Sequence, residues 1–192
     1  MKTFITYFLL VLLAPSIYAQ VRRVNTKANN FVEYNFIDQE HYTLKWGNKK
    51  IVRSLSDTIY SHYGCAKVEW ENPYAIVLKD GCGSSCWYAL ILPLNDTTEF
   101  MRRNYPFAMD GKRSLIAYGD DEAPASEDSA LTIEDFITHQ KKSFYAKDCH
   151  LVGIEPAWCI SKVEFKGDSL YYEWSGAQNF DSRRTVYLGF PR

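Results

Sequence analysis

Ala75-Ile76-Val77-Leu78-Lys79-Asp80-Gly81-Cys82-Gly83-Ser84-Ser85-Cys86-Trp87-Tyr88-Ala89-Leu90-Ile91-Leu92-Pro93 decides the fold of this chain. Two unbroken apolar runs, Ala75–Leu78 and Trp87–Leu92, flank a glycine- and serine-rich connection. Runs this short between turn signals fit strands buried on both faces, and the pair reads as a hairpin with a loop over Asp80–Ser85. Pro93 cannot donate to a ladder and ends the second strand.

Outward from this hairpin, β patterns continue. Leu170, Tyr172 and Trp174 alternate with Ser169, Tyr171 and Glu173, and Val186, Leu188 and Phe190 alternate near the C-terminus. Such alternation suits strands with one wet face. A unit recurs in which a bulky apolar residue is followed by a turn with Asn, Gly or Asp and then a strand. Its copies begin at Trp46, Trp70, Met109 and Phe165. Serial units of this kind suggest stacked hairpins. Two stretches carry helical signals. One is Thr97–Arg103. The other is Thr132–Lys142, where Thr132 and Asp135 sit at capping-box spacing and Ile133, Phe136 and Ile137 share one side, although a short strand at Leu131–Ile133 competes. Phe31–Asp38 suits a helix or a strand equally. The expected fold is mainly β: an antiparallel hairpin-repeat architecture, either a β-sandwich or an incomplete propeller-like sheet stack, with one or two short helices.

The first residues read differently. Lys2 precedes the apolar core Phe4–Ala14, and Pro15-Ser16 leads to Ile17-Tyr18-Ala19. This is the order of a cleavable signal peptide over residues 1–19. The core is too short for a membrane-spanning helix, which needs about 20 apolar residues. No later apolar run reaches that length, so no membrane span is expected. Polar Gln20–Asn30 reads as a loose N-terminal arm, and residues 31–192 suit one domain.

With 22 Lys and Arg against 23 Asp and Glu, the chain lacks the basic excess that nucleic acid or anionic lipid demands. The 14 Tyr, 11 Phe and 5 Trp favour pleated, half-buried surfaces. Five cysteines, Cys65, Cys82, Cys86, Cys149 and Cys159, follow the signal, where an oxidising compartment allows disulfides. Proximity favours Cys82–Cys86 and Cys149–Cys159 and leaves Cys65 as the spare thiol. Pairing of Cys65 with Cys82 or Cys86 is the alternative.

Gly81-Cys82-Gly83-Ser84-Ser85-Cys86-Trp87 resembles the nucleophile signature of papain-like proteases, with His150 as the matching base. That resemblance implies a thiol nucleophile at the start of a helix. Here an extra serine separates the cysteines, the residues after Cys86 read as a strand, and His150 stands far closer than the family's roughly 130–150 residues. The segment therefore reads as a disulfide-closed hairpin loop. The serine-hydrolase elbow is absent, because no second glycine follows Ser85. His41, His62, His139 and His150 show no paired spacing, so no metal or cofactor is expected. Asn95-Asp96-Thr97 is a glycosylation sequon, relevant in a eukaryotic source.

With no catalytic set apparent, these features imply an exported, non-catalytic binding protein. Its partner would be another protein, either an envelope component or a hydrolase or toxin that it inhibits. A hydrolase with a carboxylate pair and a structural envelope protein are the alternatives. If the repeat units stack, three loops emerge at one rim: Asp80–Ser85, Asp120–Ala130 and Ser175–Arg184. The candidate binding residues are Ser84, Ser85, Asp120, Asp121, Glu122, Asn179, Arg183 and Arg184. Oligomeric state is not legible at this stage.

Overall fold

A computed structural model describes residues 20–62, 64–83, 86–119, 129–145, 159–175 and 181–190. These residues form fifteen strands in four antiparallel sheets, and each sheet is a meander of consecutive strands. The first holds β1 (Val21–Asn25), β2 (Phe31–Phe36), β3 (His41–Gly47) and β4 (Val52–Tyr60). The second holds β5 (Lys67–Glu71), β6 (Ala75–Gly83), β7 (Cys86–Pro93) and β8 (Met101–Asn104). The third holds β9 (Pro106–Asp110), β10 (Leu115–Tyr118), β11 (Ser129–Asp135) and β12 (Lys141–Tyr145). The fourth holds only β13 (Ile160–Lys166), β14 (Ser169–Ser175) and β15 (Asp181–Tyr187).

The sheets pack in chain order, and the hydrophobic patterns say why. One core joins Tyr34, Leu44 and Trp46 of the first sheet to Ile76, Leu78 and Leu90 of the second. The opposite face of the second sheet, with Val77, Ala89 and Ile91, packs on Ile116 and Phe136 of the third. The other face of the third, with Leu115, Ala117 and Ile133, packs on Leu170, Tyr172 and Trp174 of the fourth. The two inner sheets bury both faces at their centre, so Ala75–Leu78 of β6, Tyr88–Leu92 of β7 and all of β10 are unbroken apolar runs. The outer sheets bury one face, so β14 alternates buried and part-exposed residues throughout.

Asn and Asp side chains close the turns. Asn48 Oδ1 accepts from the amides of Lys50 and Ile51, Asn72 Oδ1 from Tyr74 and Ala75, and Asp110 Oδ1 from Lys112 and Arg113. Asp38 and Asn95 do the same at two further turns. Each side chain mimics one more turn of backbone, which explains the recurring Asn or Asp of the sequence repeat. The bulky residues of the first two units reach the next sheet. Trp46 Nε1 donates to the Pro93 carbonyl at 2.9 Å, and Trp70 Nε1 lies 3.2 Å from Met109 Sδ. The unit at Trp46 spans the third and fourth strands of its sheet, whereas the other three span first and second strands, so the repeat is one hairpin out of phase.

No helix is present among the described residues. Thr97–Arg103 is an Asn95-capped turn running into β8. Thr132–Lys142 is the end of β11, a turn and the start of β12. Its spacing looked helical because Ile133, Phe136 and Ile137 fall at i, i+3 and i+4 across the end of β11 and the turn that follows. Asp135, read as part of a helix cap, accepts from Ile137 N and Thr138 N in a strand-to-strand turn. Phe31–Phe36 is a strand. Val21–Asn25, within the stretch expected as a loose arm, pairs residue for residue with β2. No helix among the described residues is long and apolar enough to cross a membrane. The signal-peptide residues lie outside those described.

Candidate functional site

The turns joining the first and second strands of each sheet are chained at one end of the molecule. Glu71, at the end of β5, accepts from Thr26 Oγ1, Ala28 N and Asn30 Nδ2 of the first sheet. Asn72 Nδ2 donates to the Gly111 carbonyl at 2.8 Å and to Ser114 Oγ at 2.9 Å in the third. Arg113 Nη1 reaches Asp168 Oδ1 of the fourth at 3.7 Å. Equivalent strands therefore run the same way. The second strand of every sheet runs away from this end, towards the opposite rim.

The described part of that rim is built where the first and second sheets meet. Asp80, 7% exposed, lies near the end of β6. Its Oδ1 accepts from Gly81 N at 2.8 Å, and its Oδ2 from Tyr88 Oη at 2.9 Å and Tyr42 Oη at 3.3 Å. Tyr88 Oη also lies 2.7 Å from the Tyr60 carbonyl, so its one proton serves two acceptors in turn. Burial, reinforced by Tyr88 and the Asp80 charge at Tyr42 and by Asp80 at Tyr88, pushes both phenols well above their ordinary range. They are donors, not nucleophiles.

Beside this cluster is a cleft of about 330 Å³ lined by Cys65, Lys67, Lys79, Asp80, Gly81 and Trp87. Trp87 is 41% exposed, and Lys79 Nζ stands 5.7 Å from its ring. Arg102 covers the Tyr88 ring at 4.1 Å. Arg22 Nη1 donates to Cys65 Sγ at 3.4 Å. Cys65 is a free cysteine, and burial raises its thiol despite the nearby Arg22 charge. A thiol held protonated is a poor nucleophile.

A second buried carboxylate joins the second and third sheets. Glu134, 1% exposed, accepts from Arg103 Nε at 2.6 Å and Nη2 at 2.9 Å, and from Tyr118 Oη at 3.2 Å. Burial alone would raise this carboxyl, but the hydrogen bonds and charge of Arg103 outweigh it and hold it below the ordinary range. A carboxylate so fully paired is structural. Two wider clefts, about 910 and 750 Å³, lie at the chained-turn end and share Tyr74 and Lys112.

Of the residues nominated from sequence, Arg183 and Arg184 lie on β15 rather than in a loop, opposite Glu173 and Tyr172 of β14. Asp80, expected in a loop, belongs to β6. Ser84, Ser85, Asp120, Asp121, Glu122 and Asn179 lie outside the described residues. The backbones of Cys82 and Cys86 lie in β6 and β7, whose continuation through Trp87–Pro93 removes the helix that a papain-like nucleophile requires. Cys159 is disulfide-bonded, and Cys65 is free. No group of three or more His, Cys, Asp and Glu among the described residues is placed to share a metal ion. The sequence reading missed Trp87, Lys79 and the tyrosine-bound Asp80. The exposed Trp at the edge of an apolar run was the one available signal. Comparison with protein-family models, with curated proteins and with solved structures finds no match to this chain.

Proposed function

We propose that this chain is an exported, non-catalytic binding protein that engages another protein at the rim opposite the chained turns. The observation that carries the reading is that chain of turns. It orients the second strand of every sheet towards one end, and loops carried at that end of a rigid stack would suit binding. The described rim supplies an exposed Trp beside two cations, Lys67 and Lys79, with Arg22 close by. Aromatic and cationic groups on a rigid floor suit an acidic protein surface better than an enclosed small molecule. The three buried carboxylates among the described residues, Asp80, Glu134 and Asp135, are committed to internal donors, which favours binding over a carboxylate hydrolase.

In this reading residues 1–19 are removed on export, Cys82–Cys86 and Cys149–Cys159 are disulfides, and Cys65 remains free. The exported protein then begins at Gln20 and titrates one thiol under denaturing, non-reducing conditions. Trp87→Ala and Lys79→Glu test the site. Each variant, immobilised, should retain about a tenth or less of the partner held by the unaltered chain, the effect of removing a central interface residue. The melting temperature should stay nearly constant. Equal retention contradicts the proposal.

A further inference from the structure

Among the described residues the fourth sheet ends on β15: sheets one to three each contain four strands, whereas β15 has a described neighbour only on its β14 side. Leu188 N donates to the Asp168 carbonyl, which sets the phase of the ladder. Val186, Arg184 and Ser182 then point their backbone groups at β14. Arg183, Thr185 and Tyr187 point theirs away from it, and residues 183–185 and 187 are exposed.

This edge differs from the others. Open edges are normally blunted by bulges, shortness or cover. The ladders of β4, β5, β9, β12 and β13 with their neighbours each contain a register shift. The regular outer strands β8 and β1 span only four and five residues. β15 alone joins length to regularity among the described residues, with seven residue pairs in unbroken register.

We propose that β15 is the dimerisation strand of this protein, pairing antiparallel with β15 of a second copy about a two-fold axis at Thr185. The side chains select both occupant and register. A two-fold contact must be self-complementary. Centred on Thr185, the pairing sets Arg183 against Tyr187 of the other copy, twice, and Thr185 against its own equivalent. A cation over an aromatic ring and a Thr–Thr pair are both favourable cross-strand contacts. Tyr187 is 72% exposed, the most exposed large apolar side chain of the described residues, and this register covers it. Centred on Arg183, the pairing would oppose two arginines. Centred on Tyr187, it would run past the end of the strand. The Thr185 register forms about six backbone hydrogen bonds and continues the fourth sheet across the axis.

Sedimentation equilibrium of the protein up to about 1 mM reads any millimolar or tighter association. The expected result is a mass that rises to that of two copies. Thr185→Pro removes an outward amide while sparing the ladder to β14, and should give a monomer with a nearly unchanged melting temperature. Should that variant fold poorly, Thr185→Cys decides. Opposed Cα atoms about 5.5 Å apart lie within disulfide reach. A disulfide-linked dimer should therefore form through position 185, whereas Arg183→Cys should give none. A monomer at every concentration overturns the proposal, as does a dimer that persists in Thr185→Pro and yields no link through position 185.

Discussion

Ser61 is wholly buried, and its hydroxyl has no hydrogen-bond partner among the described residues. An unpaired buried hydroxyl costs about 1–3 kcal/mol. Ser61→Ala should therefore raise the melting temperature, a gain that thermal denaturation reads directly. Glu134→Gln should do the opposite. Arg103 keeps about a fifth of its side chain in water, so the loss should sit near the low end of a broken buried pair, about 3 kcal/mol. Its pH dependence has a definite sign. The Glu134 carboxyl is held below its ordinary value of 4.5, so its stabilisation is complete above that value and is lost as pH falls through the lower folded value. Melting curves of the two proteins should converge as pH drops below about 4.5 and stay apart at neutral pH. Neither residue was legible in the sequence. The partners of Glu134, Arg103 and Tyr118, are 31 and 16 residues away, and nothing local marks a carboxylate as buried.

At the scale of elements, composition and short-range pattern served well wherever a strand had one wet face or ended in a turn residue. The hairpin of β6 and β7 and the alternation of β14 were both readable. The reading failed at β11, where Thr132, Glu134 and Asp135 are buried although polar and the spacing of Thr132 and Asp135 imitates a helix cap. It also failed at β1, whose polar residues lie on an outer sheet with most side chains exposed. The turn after β3 offers a test. Gly47 has φ +149°, and a Cβ there would stand 2.0 Å from the Ile51 carbonyl oxygen. Gly47→Ala must open that turn, and with it the approach of Asn48 to Asn30. A loss of about 2 kcal/mol or more is expected in urea denaturation, at an unchanged slope. Gly167→Ala, at φ +55° with open space around it, should cost about 1 kcal/mol, because only the backbone objects.

At the scale of the molecule, four meanders are held in series by three apolar cores and by the chain of turns from Glu71 to Asp168. The repeat in the sequence announced the hairpins but not their packing, because its first copy falls on the third turn of its sheet, whereas the others fall on the first. The functional account depends on which end of this stack meets a partner. A photoreactive residue at Trp87 of the rim, at Tyr74 of the chained-turn end or at Tyr171 on the outer face of the fourth sheet decides it, with illumination in intact source cells. The account predicts an adduct of discrete mass from position 87 and none from positions 74 and 171. An adduct from position 74 with none from position 87 would contradict it.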